Sequence, residues 1–167
     1  GCPNVDTGGD RDAAEARAVE RFTRTVKERL PDRAVAIKLT PNVTDIALMA
    51  KVAEDAGADA LSVINTITGL AVDLSTRRPK LANVTGGLSG PAIKPIALRM
   101  VWQAAQAIKL PIIGIGGIGT TDDALEFLMA GASAIQIGTA NFYEPTAATQ
   151  IIAGLKQFVQ EQGVKSI

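Results

Sequence analysis

The chain has 167 residues, of which 47% are hydrophobic and 20% are charged, so it is long enough to bury one sizeable core. Its 17 basic and 17 acidic side chains cancel, and no run of Lys or Arg forms the basic surface of a nucleic-acid-binding protein. One cysteine excludes an internal disulfide, and the lack of histidine argues against zinc chemistry and Ser-His-Asp catalysis. Because no apolar segment approaches the length of a membrane span, we expect a cytoplasmic protein that binds neither membrane nor nucleic acid.

Helical and strand patterns alternate along the chain. Predicted helices lie at residues 13–30, 45–56, 93–108 and 146–162, with a further helix opening at residues 120–123. Predicted strands lie at residues 34–39, 60–64, 111–115 and 134–137. Continuous apolar strands between helices indicate a parallel sheet.

A short repeated pattern links these units. Residues 56–60 (Ala-Gly-Ala-Asp-Ala) return as residues 130–134 (Ala-Gly-Ala-Ser-Ala), which joins a helix end to a strand start through a left-handed glycine cap. Repetition of the βα unit favours a barrel, but only four complete units follow one unpaired helix, whereas a closed barrel takes about 250 residues. We therefore predict an α/β fold, the C-terminal half of a (β/α)8 TIM barrel, with residues 1–167 in a single domain.

Two apolar strands run directly into glycine near the end of the chain, at residues 113–120 and 134–139. Glycine lets the backbone approach a ligand, and amides at the start of the helix opened by Thr120 can bind an anion. The loops after the last two strands of a parallel barrel commonly hold a phosphate. We predict a phosphate cradle at Gly116, Gly117 and Gly138; the alternative is that these glycines only permit tight turns.

The segment from Asn65 to Gly90 is longer than the connections usual in a compact α/β domain. It closes with Gly86-Gly87-Leu88-Ser89-Gly90-Pro91, a third glycine-rich surface just before a helix. Loops of this length are often binding loops or lids, although glycine and proline can also simply punctuate a solvated loop.

Seven motifs together resemble those of the dihydroorotate dehydrogenases, in the same order and over essentially the whole chain. They are Cys2-Pro3-Asn4-Val5, Ile37-Lys38-Leu39-Thr40-Pro41-Asn42, Val63-Ile64-Asn65-Thr66, Thr76-Arg77-Arg78-Pro79, the residues from Gly86 to Lys94, those from Gly114 to Gly117, and those from Gln136 to Thr139. The Thr76-Arg77-Arg78-Pro79 loop and the run through Lys94 are most similar to the class 1B catalytic subunit.

The resemblance implies an FMN-binding barrel that oxidises dihydroorotate to orotate in de novo pyrimidine biosynthesis. Hydride passes from C6 of the substrate to FMN while a protein base removes the C5 proton. A homodimer associated with an electron-transfer subunit, which holds FAD and an iron–sulfur cluster and passes electrons to NAD, is also implied. This chain cannot hold such a cluster, because one cysteine is too few.

The resemblance also assigns roles to particular residues. Cys2 matches the catalytic base, although a lone cysteine is otherwise often a small buried hydrophobe. Asn4, Asn65 and Thr66 match substrate contacts, although Asn is also a common turn former.

The expected flavin contacts fall into two groups, and no metal is expected. Lys38 matches a flavin-ring contact, with extension of its head into solvent as the alternative, and Ile64 would pack on the ring. Gly90, Gly116, Gly117, Gly138 and Thr139 match contacts to the ribityl phosphate.

Two other functions also fit the sequence. One is a non-catalytic phosphate-binding or flavin-binding half-barrel, because the half of the family's barrel that holds other flavin and substrate contacts is missing. The second is another flavin barrel that acts on a dihydropyrimidine or dihydrouridine, since fold alone does not fix substrate. Half a barrel would leave two open sheet edges, which favours pairing with another chain.

Overall fold

The computed structural model describes residues 11–165, in which parallel strands alternate with helices. The first half of the chain contains α1 (Arg11–Arg29), β1 (Ala36–Leu39), α2 (Ile46–Asp55), β2 (Ala60–Val63), β3 (Ile67–Leu70), β4 (Val72–Asp73), β5 (Arg78–Pro79) and β6 (Thr85–Leu88). The second half contains a 3-10 turn (Pro91–Ile93), α3 (Lys94–Ala107), β7 (Ile112–Ile115), α4 (Thr121–Met129), β8 (Ala134–Gln136), α5 (Ala140–Tyr143) and α6 (Ala147–Gln162).

Four strands form one parallel sheet in the order β1-β2-β7-β8. Ala36 pairs with Ala60, Leu61 with Ile112, and Ile113 with Ala134. Each of these strands is followed by a helix on its way to the next strand or to the end of the described chain. This confirms the predicted α/β fold and agrees with four βα units of a TIM barrel, preceded by α1.

The core lies between the sheet and its helices. In β1, Ile37 and Leu39 are buried while Ala36 and Lys38 are exposed, so alternate side chains face the helices. Side chains at most 2% exposed in this core include Leu39, Leu61, Val63, Ile112, Met49, Ala53, Val101, Ala104 and Phe127. Each large apolar side chain buried there contributes about 1.5–3 kcal/mol to folding.

The predicted helices and strands are found within a few residues of their expected bounds. Asp45 caps α2 by accepting a 3.0 Å hydrogen bond from the amide of Leu48, which places the first helical residue at Ile46. Gly57 and Gly131 have φ values of +94° and +109°, so both repeated helix ends use the expected left-handed glycine.

Residues 65–90 differ from the predicted loop, because they contain two nested antiparallel ribbons. β3 pairs with β6 from Ile67–Leu88 to Leu70–Thr85, and β4 pairs with β5 inside this ribbon. The ribbons escaped prediction because their strands are two to four residues long and β3 and β6 contain glycine, which weakens the strand pattern. The short helix α5 was likewise not predicted.

An ion pair fixes the amino end of the sheet, away from the loops that follow the strands. The carboxylate of Asp59 lies 2.8 Å from the Lys27 ammonium and accepts a 2.7 Å hydrogen bond from the amide of Val35. These two contacts hold the pKa of Asp59 below its usual value, and the contact with Lys27 has the larger effect.

No helix among residues 11–165 is both long enough and apolar enough to span a membrane.

Candidate functional site

A cleft of about 240 Å³ opens where the parallel strands end. In α/β barrels this carboxyl end of the strands is where ligands bind. The nine predicted site residues that lie in the described part of the chain all line this one cleft: Lys38, Ile64, Asn65, Thr66, Gly90, Gly116, Gly117, Gly138 and Thr139. Two other predicted site residues, Cys2 and Asn4, lie outside the described residues.

The backbone after β2 continues the sheet for two more residues. The amide of Ile64 donates to the carbonyl of Ile115, and the amide of Asn65 donates to the carbonyl of Leu39, each at 2.9 Å. These bonds fix Asn65 and Thr66 at the rim of the cleft. Ile64 is only 2% exposed, so it contributes an apolar part of the lining.

Lys38 lies on the face of β1 opposite the helix-packed core. Among the described residues that line the cleft, it is the one charged side chain, and no carboxylate accompanies it there. A cation that lines a cleft favours the binding of an anion there.

The glycines after β7 form a turn that other residues cannot adopt without strain. Gly116 and Gly117 have φ values of +137° and +78°. A Cβ on Gly117 would lie 2.8 Å from the backbone nitrogen of Lys94 and 2.9 Å from the carbonyl oxygen of Gly90. The turn after β7 is therefore packed directly against the start of α3.

The start of α4 differs from the expectation that its amides are available to a phosphate. Asp123 Oδ2 accepts hydrogen bonds from the amides of Gly119 and Thr120 at 3.0 and 2.9 Å, and the Thr120 hydroxyl accepts from the amide of Asp123. The carboxylate thus takes the place of an external anion. None of these three residues lines the cleft, so the structure does not support this helix start as part of the phosphate cradle.

Asp123 also binds Lys94, whose ammonium lies 2.7 Å from Asp123 Oδ1 and 3.0 Å from Glu126 Oε2. Burial opposes ionisation of Asp123, but hydrogen bonds from Lys94, Gly119 and Thr120 outweigh it and hold the pKa of the carboxyl below its usual value. The pKa of Lys94 is raised, first by its hydrogen bond to Asp123. This pair joins the starts of α3 and α4 beside the glycine turn.

The turn after β8 completes the cleft. Gly138 and Thr139 lead into the short helix α5, and barrels often hold a phosphate between the last two loops and a short extra helix. A Cβ on Gly138 would meet no atom within 4 Å, so the backbone faces open space. The hydroxyl of Thr139 donates to the hydroxyl of Ser89 at 2.8 Å.

Eight of the residues that line the cleft were not predicted as site residues, among them Ser89, Phe142 and Tyr143. The signal for Ser89 was its position within the glycine run, directly before Gly90. Phe142 is 90% exposed and Tyr143 59% exposed, which is unusual for large aromatic side chains and places them at the cleft mouth.

These residues fit an organic ligand that carries a phosphate. Open glycine backbone, paired hydroxyls and a lysine suit the anionic part, while Ile64 and its apolar neighbours suit a ring. Among residues 11–165 no group of three or more His, Cys, Asp or Glu side chains could hold a metal ion.

The sheet and cleft thus define part of a parallel α/β barrel with a candidate ligand site at the carboxyl ends of the strands. A family model described as dihydroorotate dehydrogenase matches residues 1–159, and the chain belongs to this family. It is 56% identical over 166 residues to the protein of Citrifermentans bemidjiense named "Dihydroorotate dehydrogenase B (NAD(+)), catalytic subunit". Proteins of the same name from Geotalea uraniireducens and Trichlorobacter lovleyi are 55% and 56% identical to this chain.

Each of these alignments covers 99% of this chain and 54% of the relative. The chain therefore spans about half the length of the curated relatives it matches.

Proposed function

We propose that residues 1–167 are the C-terminal half of a single FMN-binding barrel domain that oxidises dihydroorotate to orotate in de novo pyrimidine biosynthesis. The observation that supports this most directly is that one cleft brings together the nine predicted contact residues that lie in the described part of the chain. Membership of the family adds the substrate and the reaction.

Family membership implies a flavin-dependent enzyme, and we propose FMN as the flavin. Gly90, Gly116, Gly117, Gly138 and Thr139 would hold its phosphate through backbone amides and one hydroxyl. Ile64 would pack on the ring, and Lys38 would balance negative charge beside it. A bound flavin supplies the acceptor for the hydride that leaves C6 of dihydroorotate.

The remaining proposed residues act on the substrate. Asn65 and Thr66 would orient the pyrimidine ring, because an amide and a hydroxyl can each donate to its carbonyls and accept from its N–H groups. Asn4 would add a further contact. The Cys2 thiolate would accept the C5 proton, and loss of that proton with the C6 hydride forms the C5–C6 double bond of orotate.

The proposals on partner proteins also depend on membership of the family. The relatives are named catalytic subunits, which implies a partner subunit. We propose a cytoplasmic homodimer associated with an electron-transfer subunit that holds FAD and an iron–sulfur cluster and passes electrons to NAD. A surface suited to protein contact lies on the ribbons of residues 67–88, which expose Leu70, Val72, Leu74, Leu81, Val84 and Leu88.

The test is a chimera in which this chain replaces the matching part of the Citrifermentans bemidjiense relative. The purified chimera should bind FMN with the absorbance of an oxidised flavin, and dihydroorotate should bleach that absorbance under anaerobic conditions. Bound flavin that dihydroorotate does not bleach would favour the alternative of another flavin barrel. Failure to bind any flavin, with the intact relative as positive control, would favour the non-catalytic alternative.

A further inference from the structure

Ser89 and Thr139 join two loops across the cleft. Ser89 follows β6 and Thr139 follows β8, 50 residues later, and their hydroxyl oxygens lie 2.8 Å apart. Both residues line the cleft that also contains Gly116, Gly117 and Gly138. The contact therefore lies within the proposed phosphate site.

The Ser89–Thr139 hydroxyl pair keeps one O–H hydrogen that the hydrogen bond between the two hydroxyls does not use. Each hydroxyl has one O–H donor, and the bond between them consumes one of the two. The structure gives Ser89 no further hydrogen bond to the described residues, so the remaining donor of the pair is available to a ligand in the cleft. A hydroxyl that already takes part in a hydrogen bond is polarised and donates more strongly to a negative oxygen.

The backbone beside Ser89 is fixed by the same elements that form the glycine turns. Gly90 has a φ of +90°, and a Cβ there would lie 3.4 Å from Thr139 Cγ2. The Gly90 carbonyl accepts a hydrogen bond from the amide of Ile93 and lies against Gly117. The position of the Ser89 hydroxyl is thus coupled to the loops after β7 and β8.

We propose that the Ser89–Thr139 hydroxyl pair donates to the terminal phosphate of the flavin, and that Ser89 makes the site selective for the phosphorylated flavin over riboflavin. This inference rests on the proposed function and adds a binding residue that the sequence motifs did not assign. The pair supplies a directional side-chain donor, whereas the glycine amides supply the backbone part of the site.

The inference is tested by flavin binding rather than by turnover. In the apo form of the chimera described above, FMN and riboflavin dissociation constants are measured by quenching of flavin fluorescence for the wild type, Ser89→Ala, Thr139→Val and the double variant. Because hydrogen bonds to charged groups are strong, Ser89→Ala should weaken FMN binding roughly tenfold to a hundredfold. Riboflavin binding should stay within about twofold, since it lacks the phosphate.

The controls separate loss of the hydroxyl from general disturbance. Ser89→Thr keeps the hydroxyl and should retain FMN affinity, and Ser133→Ala removes an exposed serine hydroxyl at the opposite end of β8. In the double variant the loss of FMN binding free energy should be smaller than the sum of the losses in the two single variants, because the two hydroxyls act as a unit.

Equal loss of FMN and riboflavin affinity, or unchanged FMN affinity in Ser89→Ala, would overturn this inference while leaving the proposed function intact. A wild-type chimera that binds neither flavin would instead overturn the proposed function.

Discussion

The side chain of Asn42 forms a hydrogen bond with the backbone of Thr68, as the backbone of a neighbouring strand would. Its side-chain oxygen accepts a 2.9 Å hydrogen bond from the Thr68 amide, and its side-chain nitrogen donates to the carbonyl of Thr66 at 3.3 Å. The same nitrogen lies 3.1 Å from the Thr40 hydroxyl. The loop after β1 thereby holds the segment that presents Asn65 and Thr66 to the cleft.

We expect Asn42→Ala to weaken orotate binding roughly tenfold, because two hydrogen bonds that position Thr66 are lost at about 0.5–1.5 kcal/mol each. FMN affinity should change little, since the glycine turns that form the proposed phosphate site do not depend on Asn42. Both affinities can be measured by titration of the chimera. Asn83→Ala, at an exposed position of the ribbons, is the matched control. A parallel loss of FMN and orotate affinity would contradict a positioning role.

Asp123 is predicted to be a stability determinant rather than a binding residue. Asp123→Ala removes the bonds to two amides and to Lys94, so it should lower the free energy of unfolding by about 2 kcal/mol. Asp122→Ala, which removes an exposed acidic side chain from the same helix turn, should cost much less. Urea unfolding of the two variants gives the comparison, and equal losses would show that the Asp123 contacts contribute little.

The depressed pKa of Asp123 also predicts how stability depends on pH. A carboxyl whose pKa is lower in the folded state adds stability above its unfolded pKa of about 3.9, and that stability is lost as the pH falls through the folded value. The stability difference between wild type and Asp123→Ala should therefore be full at pH 7 and shrink below about pH 4. Urea unfolding midpoints of both proteins at the two pH values provide the measurement. A stability difference between wild type and Asp123→Ala that grew as the pH fell would contradict the depressed pKa of Asp123.

The sequence predicted the four βα units because their strands are continuously apolar and their helix ends carry recognisable caps, such as Asp45 and Gly57. The resemblance to a known family also assigned Lys38 to the flavin site, and Lys38 lines the cleft. At α4, the spacing of Thr120 and Asp123 is a local capping-box pattern that the sequence analysis did not use. The bond between Lys94 and Asp123, which lie 29 residues apart, leaves no local pattern, and the same holds for the bond between Ser89 and Thr139.

The exposed ribbons of residues 67–88 provide a test of the proposed association. Leu74 is 89% exposed, so Leu74→Asp should leave the stability of the isolated subunit almost unchanged. If the ribbons contact a second copy or the partner subunit, burial of a charge there should weaken association about tenfold or more. Sedimentation of the chimera over a range of concentrations measures this. Leu30→Asp, at a half-exposed leucine after α1, is the control, and identical sedimentation of both variants would place the interface elsewhere.

Gly117→Ala tests the packing of the glycine turn against α3. An alanine there would have both the strained φ of +78° and a Cβ within 3 Å of Lys94 and Gly90. Gly163→Ala is a matched control, because Gly163 also has a positive φ, of +63°, but no atom lies within 4 Å of its added Cβ. We expect Gly163→Ala to lower the free energy of unfolding by about 1 kcal/mol, because it introduces the backbone strain alone.

Gly117→Ala should lower the free energy of unfolding by more than that. It should also abolish FMN binding, because relief of the clash moves the Gly90 loop away from Thr139. Thermal unfolding and flavin titration of the two variants separate these effects, and FMN affinity retained in Gly117→Ala would show that the turn is not part of the phosphate site.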